Sequence, residues 1–141
     1  MSYDKLLRKR LIKSFKATKS QIDAQFELAE RDYKTAKRMV GTSNDWAFNI
    51  AYNAMLQATR ALMFFEGFRP RSGEGQHKTT ILFAELALGD NFKDEIRFFD
   101  KMRVKRNRAV YDIAGLISET EARQAIQFAG KFIIRIKEHI K

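Results

Sequence analysis

The groups best able to act on an anion crowd into Lys101-Met102-Arg103-Val104-Lys105-Arg106-Asn107-Arg108, which has five bases in eight residues and no acid, followed at once by Ala109-Val110-Tyr111-Asp112. A guanidinium is a planar fork of N–H donors that fits two oxygens of one phosphate, so such a run points to phosphate chemistry. Arg106 is the most informative member. The helical stripe Phe92, Ile96, Phe99 continues through Arg103, Arg106, Val110 and Ile113, so two arginines stand where the pattern asks for apolar side chains. With Met102, Ala109 and Val110 one turn away, the Arg106 charge requires a partner: a buried acid, a second subunit or a bound phosphate.

Tyr111 ends the run. A phenol with a pKa of about 10 is only about a thousandth ionised at pH 7, which suits it to binding a phosphate or stabilising a transition state rather than to abstracting a proton, unless a neighbouring arginine lowers its pKa. Asp112 either orients the Tyr111 hydroxyl or pairs with Arg108. Two histidines complete the inventory: His77, placed after a loop where it can face a cleft, and His139, in the final turn of the last helix, where it complements the helix dipole. The absence of cysteine removes thiolate nucleophiles and thiolate zinc sites. No histidine and carboxylate spacing resembles a metal site, and Gly73-Glu74-Gly75 lacks the lysine and strand of a phosphate loop, so no metal or cofactor is expected.

The elements that must position these groups read as helices. The chain has 141 residues, 45% hydrophobic and 31% charged, with one proline and seven glycines, which suits a single domain with its own core. A formal net charge of +10 favours an anionic partner: nucleic acid, a nucleotide or an acidic protein. No apolar stretch approaches the roughly 20 residues of a membrane span, and Met1 is followed by charge rather than by an apolar signal core, so a soluble, cytoplasmic protein is expected.

From Ser20 to Val40 the residues Ile22, Phe26, Ala29, Tyr33, Ala36 and Val40 draw one narrow helical stripe. Opposite it, Glu27/Arg31 and Glu30/Lys34 have the spacing of solvated ion pairs. Capping oxygens in Thr42-Ser43-Asn44-Asp45 precede a helix from Trp46 to Phe65 that is apolar over most of its circumference, which places it at the centre of a bundle with Trp46 and Tyr52 in the core. Gly67 ends it, and a basic loop with Arg69, Pro70 and Arg71 runs to Gly75. A helix from Gln76 to Leu88 follows. Asp90 or Asn91 caps the next, and Ser118-Glu119-Thr120-Glu121 is a capping box for the last.

Residues 1–19 stand apart as a basic amphipathic segment with Leu6, Leu7, Leu11, Ile12 and Phe15 among its lysines and arginines. As one helix it would either track phosphates or an anionic membrane, or dock its apolar side on the bundle formed by residues 20–141. The expected architecture is all-α: a single-domain, up-and-down bundle of about five helices. Residues five apart on a regular helix point about 140° apart, so Arg106 and Tyr111 do not share a face, whereas Asn107 and Tyr111 do. A joint site requires a distorted helix end or a two-fold mate in an isologous dimer.

Arg106-Asn107-Arg108-Ala109-Val110-Tyr111-Asp112 resembles the signature of the HEPN superfamily, an arginine with a polar residue after it and a histidine or tyrosine four to six residues on. Ala51-Tyr52-Asn53-Ala54, Arg60-Ala61-Leu62, Gly67, the loop and His77 extend the resemblance, which covers the chain from about Ser20 onward. It implies a helical bundle that pairs through its signature helices. In many members the cleft between two protomers is a metal-independent ribonuclease that uses the RNA's own 2′-hydroxyl as nucleophile. Many are toxins encoded beside a nucleotidyltransferase antitoxin. Carried onto this chain, Arg106 would stabilise charge on the phosphate, Asn107 would orient it, and Tyr111 takes the histidine position, with Arg103, Arg108, Asp112 and His77 contacting substrate. The alternative is a non-catalytic module that binds RNA or nucleotide and docks a nucleotidyltransferase. Control by modification of a tyrosine two residues past the histidine does not carry over, because Ile113 stands there.

Overall fold

A computed structural model of the chain describes residues 2–141. Among them are six α-helices: α1 Tyr3–Arg8, α2 Lys19–Met39, α3 Asn44–Glu66, α4 Gln76–Leu88, α5 Lys93–Tyr111 and α6 Glu119–Ile140. Two short strands, β1 Ile12–Ser14 and β2 Phe68–Pro70, pair antiparallel, and a 3-10 turn at Asp90–Phe92 leads into α5. The architecture is an all-α bundle with a small clasp.

Helix α3 is its axis. Ala47, Ala51, Tyr52, Ala54, Met55, Ala58, Ala61 and Leu62 are buried around its circumference, and α2, α4, α5 and α6 all pack on it. The small side chains let neighbours approach closely, while Tyr52, Met55 and Leu62 fill the space between them. The ends follow local chemistry. Gly67 stops α3 in the left-handed conformation, at φ 96°, and its N–H bonds back into the last turn. At the start of α2 the Thr18 hydroxyl accepts from the Gln21 amide at 3.1 Å, and Ser118 does the same for Glu121 at the start of α6, also at 3.1 Å.

The first nineteen residues do not form one amphipathic helix. The chain breaks after α1, Arg10 takes φ 58°, and β1 pairs with β2 in the register Ile12↔Pro70, Lys13↔Arg69, Ser14↔Phe68. The physical reason is that Leu6 and Ile12 are both fully enclosed, and six residues apart they could not share one helical face. Their apolar side docks on the bundle, with the Tyr3 ring stacked 4.7 Å from Phe83. The loop after Gly67 is correspondingly shorter than expected, since it contributes β2.

Two further expectations are corrected. Trp46 is 56% exposed, because Ala47 and Phe48 take the inward directions at the start of α3. Glu27/Arg31 and Glu30/Lys34 are not the ion pairs that form: Glu30 pairs with Lys137 on α6, and Arg31 turns to Asp32 at 3.0 Å. Asp32 is the more consequential acid. It is buried in the α2–α3 interface and accepts from Asn53 at 2.9 Å and Gln57 at 3.2 Å. Hydrogen bonds to a buried carboxylate are strong, and deleting it strands two amides, so Asp32→Ala is expected to cost about 2–3 kcal/mol in urea denaturation.

Candidate nucleic-acid site at the end of α5

A cleft of about 690 Å³ lies between the start of α4 and the last turns of α5. One wall is Gly73 to Lys78, including His77; the other is Arg103, Arg106, Asn107, Tyr111 and Asp112. Arg108 lies outside it, exposed on the far side of α5. Among the described residues Asp112 makes no ion pair with Arg108, although it borders the same cleft as Tyr111.

Arg106 is held by neutral groups. Its Nε donates to Asn49 Oδ1 at 2.8 Å and its Nη1 to Asn107 Oδ1 at 3.1 Å. The guanidinium carbon lies 5.9 Å from the ring centroids of both Tyr52 and Tyr111. No carboxylate is within ion-pair distance of it among the described residues. Two neighbouring bases are already compensated: Arg103 binds Asp100 at 2.9 Å, and Lys105 binds Glu121 on α6. The Lys105 hydrogen bond holds the Glu121 carboxyl below its usual range. Arg106 therefore enters the cleft oriented and with its charge uncancelled.

Sequence reasoning does not reach Asn49, although an amide on an otherwise apolar helix is a usable signal: a buried polar group must find a partner.

Within a single chain Arg106 and Tyr111 face the same space because α5 ends there. Asp112 and Ile113 both donate to the Arg108 carbonyl, the latter at 2.8 Å across five residues, so the final turn widens. This is the distorted helix end, and the reach of the arginine side chain does the rest. Asp45 at the start of α3 fixes the chain beyond, accepting from the Gly115 and Ile117 amides at 2.6 and 3.0 Å.

The opposite wall carries one acid, Glu74, one base, Lys78, and the start of α4. Gly75, φ 80°, precedes α4, no side chain among the described residues caps the helix, and its first residues, Gln76 to Lys78, line the cleft, leaving their amides free to meet an anion there. His77 packs on Tyr52, their rings 5.6 Å apart. Its pKa is lowered, first by burial and then by Arg106, Arg60 and Arg103, which keeps the imidazole neutral at neutral pH. Tyr52 beneath it is raised far above a usual phenol by burial, against the opposing pull of Arg106, and its enclosed hydroxyl has no hydrogen-bond partner.

The family model for the HEPN domain matches residues 22–139, with the whole cleft inside the match. The chain belongs to the HEPN family. No curated protein matches it. In this HEPN domain Arg106, Asn107 and Tyr111 all line the cleft, and among the described residues no group of three or more His, Asp or Glu side chains is placed to hold a metal ion. No helix among the described residues is long and apolar enough to cross a membrane.

The His77 shift has a measurable sign. A depressed folded pKa means that, between that value and the ordinary 6.5, the unfolded chain binds the extra proton, so stability is full above 6.5 and falls as pH drops through this window. Urea titrations from pH 7 to pH 5 are expected to show a smaller acid-side loss in His77→Gln than in the wild type.

Proposed function

We propose that this HEPN domain is a metal-independent endoribonuclease acting in the cytoplasm on single-stranded RNA. The observation that carries this reading is Arg106, fixed by Asn49 and Asn107, uncompensated by any carboxylate among the described residues, with Tyr111 beside it and His77 on the opposite wall of one cleft. A phosphodiester in the cleft would meet the Arg106 guanidinium and the open α4 amides, both favouring negative charge that grows on phosphorus-bound oxygens.

Neutral His77 takes the proton of the ribose 2′-hydroxyl, and the 2′-oxygen attacks phosphorus. The bond to the 5′-oxygen breaks, and that oxygen takes a proton from solvent in the open cleft. The products are a 2′,3′-cyclic phosphate and a 5′-hydroxyl. Tyr111, protonated, hydrogen-bonds a phosphoryl oxygen, and Arg103 and Asp112 border the strand. Division of labour between His77 and Tyr111 answers the weakness of a phenol as base.

The active form we propose is an isologous homodimer. Trp46, Val104, Val110 and Ile113 are exposed apolar side chains at the start of α3 and along the end of α5, with Trp46 and Val110 bordering one shallow pocket, an arrangement suited to a two-fold mate. A nucleotidyltransferase antitoxin is the proposed protein partner, supported by the family resemblance and by the basic charge of the chain. A binding-only reading is favoured by one observation, Tyr111 in the histidine position and 73% exposed.

The deciding experiment incubates the protein with end-labelled single-stranded RNA in excess chelator and reads cleavage and retention together. Arg106→Ala is expected to lower cleavage by about 10²- to 10³-fold, and undiminished cleavage by it would sink the assignment. His77→Gln is expected to lose about 10²-fold or more and to abolish the acid limb of kcat/KM, which in the wild type should lie below pH 6.5. Retention without cleavage by the wild type would select the binding module. Sedimentation of Trp46→Lys with Val110→Glu should show a monomer where the wild type is a dimer; an unchanged mass would reject the proposed interface.

A further inference from the structure

A second cavity of about 250 Å³ opens on the other side of Gln76, lined by Lys13, Arg60, Arg69, Gln25 and Gln76 among others. It has three bases and no acid in its lining. Two of the bases are opposed by the fold itself: Lys13 and Arg69 are register partners across the β1–β2 ribbon, so their side chains rise on one face, directly opposite each other. Like charges so placed repel, and an anion between them removes that cost. Arg60 approaches from α3 below. It donates to Gln76 Oε1 at 2.6 Å and has no carboxylate within ion-pair distance among the described residues.

Two details indicate more than a bare anion. Gln25 lines the cavity, and its Oε1, enclosed and without a donor among the described residues, gains one when the side chain turns toward a ligand hydroxyl or N–H beside the negative charge. Gln76 lines both cavities, so a single strand leaving the Arg106 cleft passes over it into the second one.

We infer that the Lys13–Arg60–Arg69 cavity is a second ribonucleotide subsite, taking a neighbouring phosphate of the strand bound at Arg106, with a ribose hydroxyl on Gln25. The inference rests on the RNA reading of the first cleft. It gives the ribbon a use: β1 brings a lysine from the start of the chain to a phosphate track otherwise built from α3 and the segment before α4. Specificity for strand length follows, because a dinucleotide has one phosphodiester and fills only the first cleft.

The test, made throughout in the cleavage-impaired His77→Gln background so that the RNA stays whole, measures anisotropy of labelled ten-nucleotide single-stranded RNA, the same sequence as DNA, and a dinucleotide, over a salt series, with inorganic phosphate as competitor. Lys13→Gln with Arg69→Gln, both exposed positions, is expected to weaken ten-nucleotide RNA and to flatten log K against log salt by about 0.7 for each phosphate no longer neutralised, leaving the dinucleotide unchanged. Gln25→Leu is expected to reduce the preference for RNA over DNA. If the double variant binds the ten-nucleotide RNA with unaltered affinity and slope while Arg106→Ala weakens it, the subsite is wrong and the first cleft stands. If the double variant weakens binding and Arg106→Ala does not, the first cleft's reading fails instead. Equal weakening of the ten-nucleotide RNA and the dinucleotide, or of phosphate competition alone, would overturn the strand path. An unchanged RNA-to-DNA ratio in Gln25→Leu would remove the ribose from Gln25.

Discussion

Most of α3 is enclosed, so the polar side chains on its covered faces must find protein partners in place of water, and this condition organises the molecule. Asn49, Asn53, Gln57, Thr59 and Arg60 all lie on it, and each is resolved by a specific partner: Arg106, Asp32 for both Asn53 and Gln57, the Met55 carbonyl, and Gln76. Apolar packing sets how closely α2, α4 and α5 approach, but it permits rotation and sliding. The polar partners choose among those positions, since any other would bury an unpaired amide.

The placement of charge follows from the same constraint. Asn49 offers Arg106 an acceptor without offering it a countercharge, so the guanidinium is oriented without an ion-pair partner. Arg60 is treated in the same way by the neutral Gln76. The protein does pair bases with acids nearby: Arg103 on the cleft wall with Asp100, and Lys105 outside the cleft with Glu121. Orientation by amides leaves Arg106 and Arg60 as the uncancelled positive charges of the two cavities.

Much of this is legible in the sequence. The capping box at Ser118, the stop at Gly67 and the wide apolar arc of α3 are local signals, and local chemistry decides them. Arg106 is conspicuous because it interrupts a stripe, and Arg103, Asn107, Tyr111, Asp112 and His77 do line one cleft with it. What cannot be read is non-local. Lys137 rather than Lys34 meets Glu30, Asn49 meets Arg106, and β1 meets β2 across two intervening helices. Periodicity misplaces Trp46 because it gives a direction around the helix, not whether a neighbour extends far enough to cover it. The basic segment at the start reads as one helix because Leu7, Leu11 and Phe15 keep helical spacing, whereas the fold is decided by Leu6 and Ile12, which do not.

The ribbon has a kinetic meaning. α2 and α3 have 21 and 23 residues, so each runs about 30–35 Å and the second returns the chain to the level where the first began. Only after that hairpin has docked are β1 and β2 brought into register, and three residues per strand supply too few bonds to hold it earlier. The ribbon's few backbone bonds thus depend on the docked hairpin rather than holding it, with Ile12 enclosed beneath them. Any phosphate held between Lys13 and Arg69 acts as a rivet across this seam, coupling occupancy of the groove to the order of the chain's beginning.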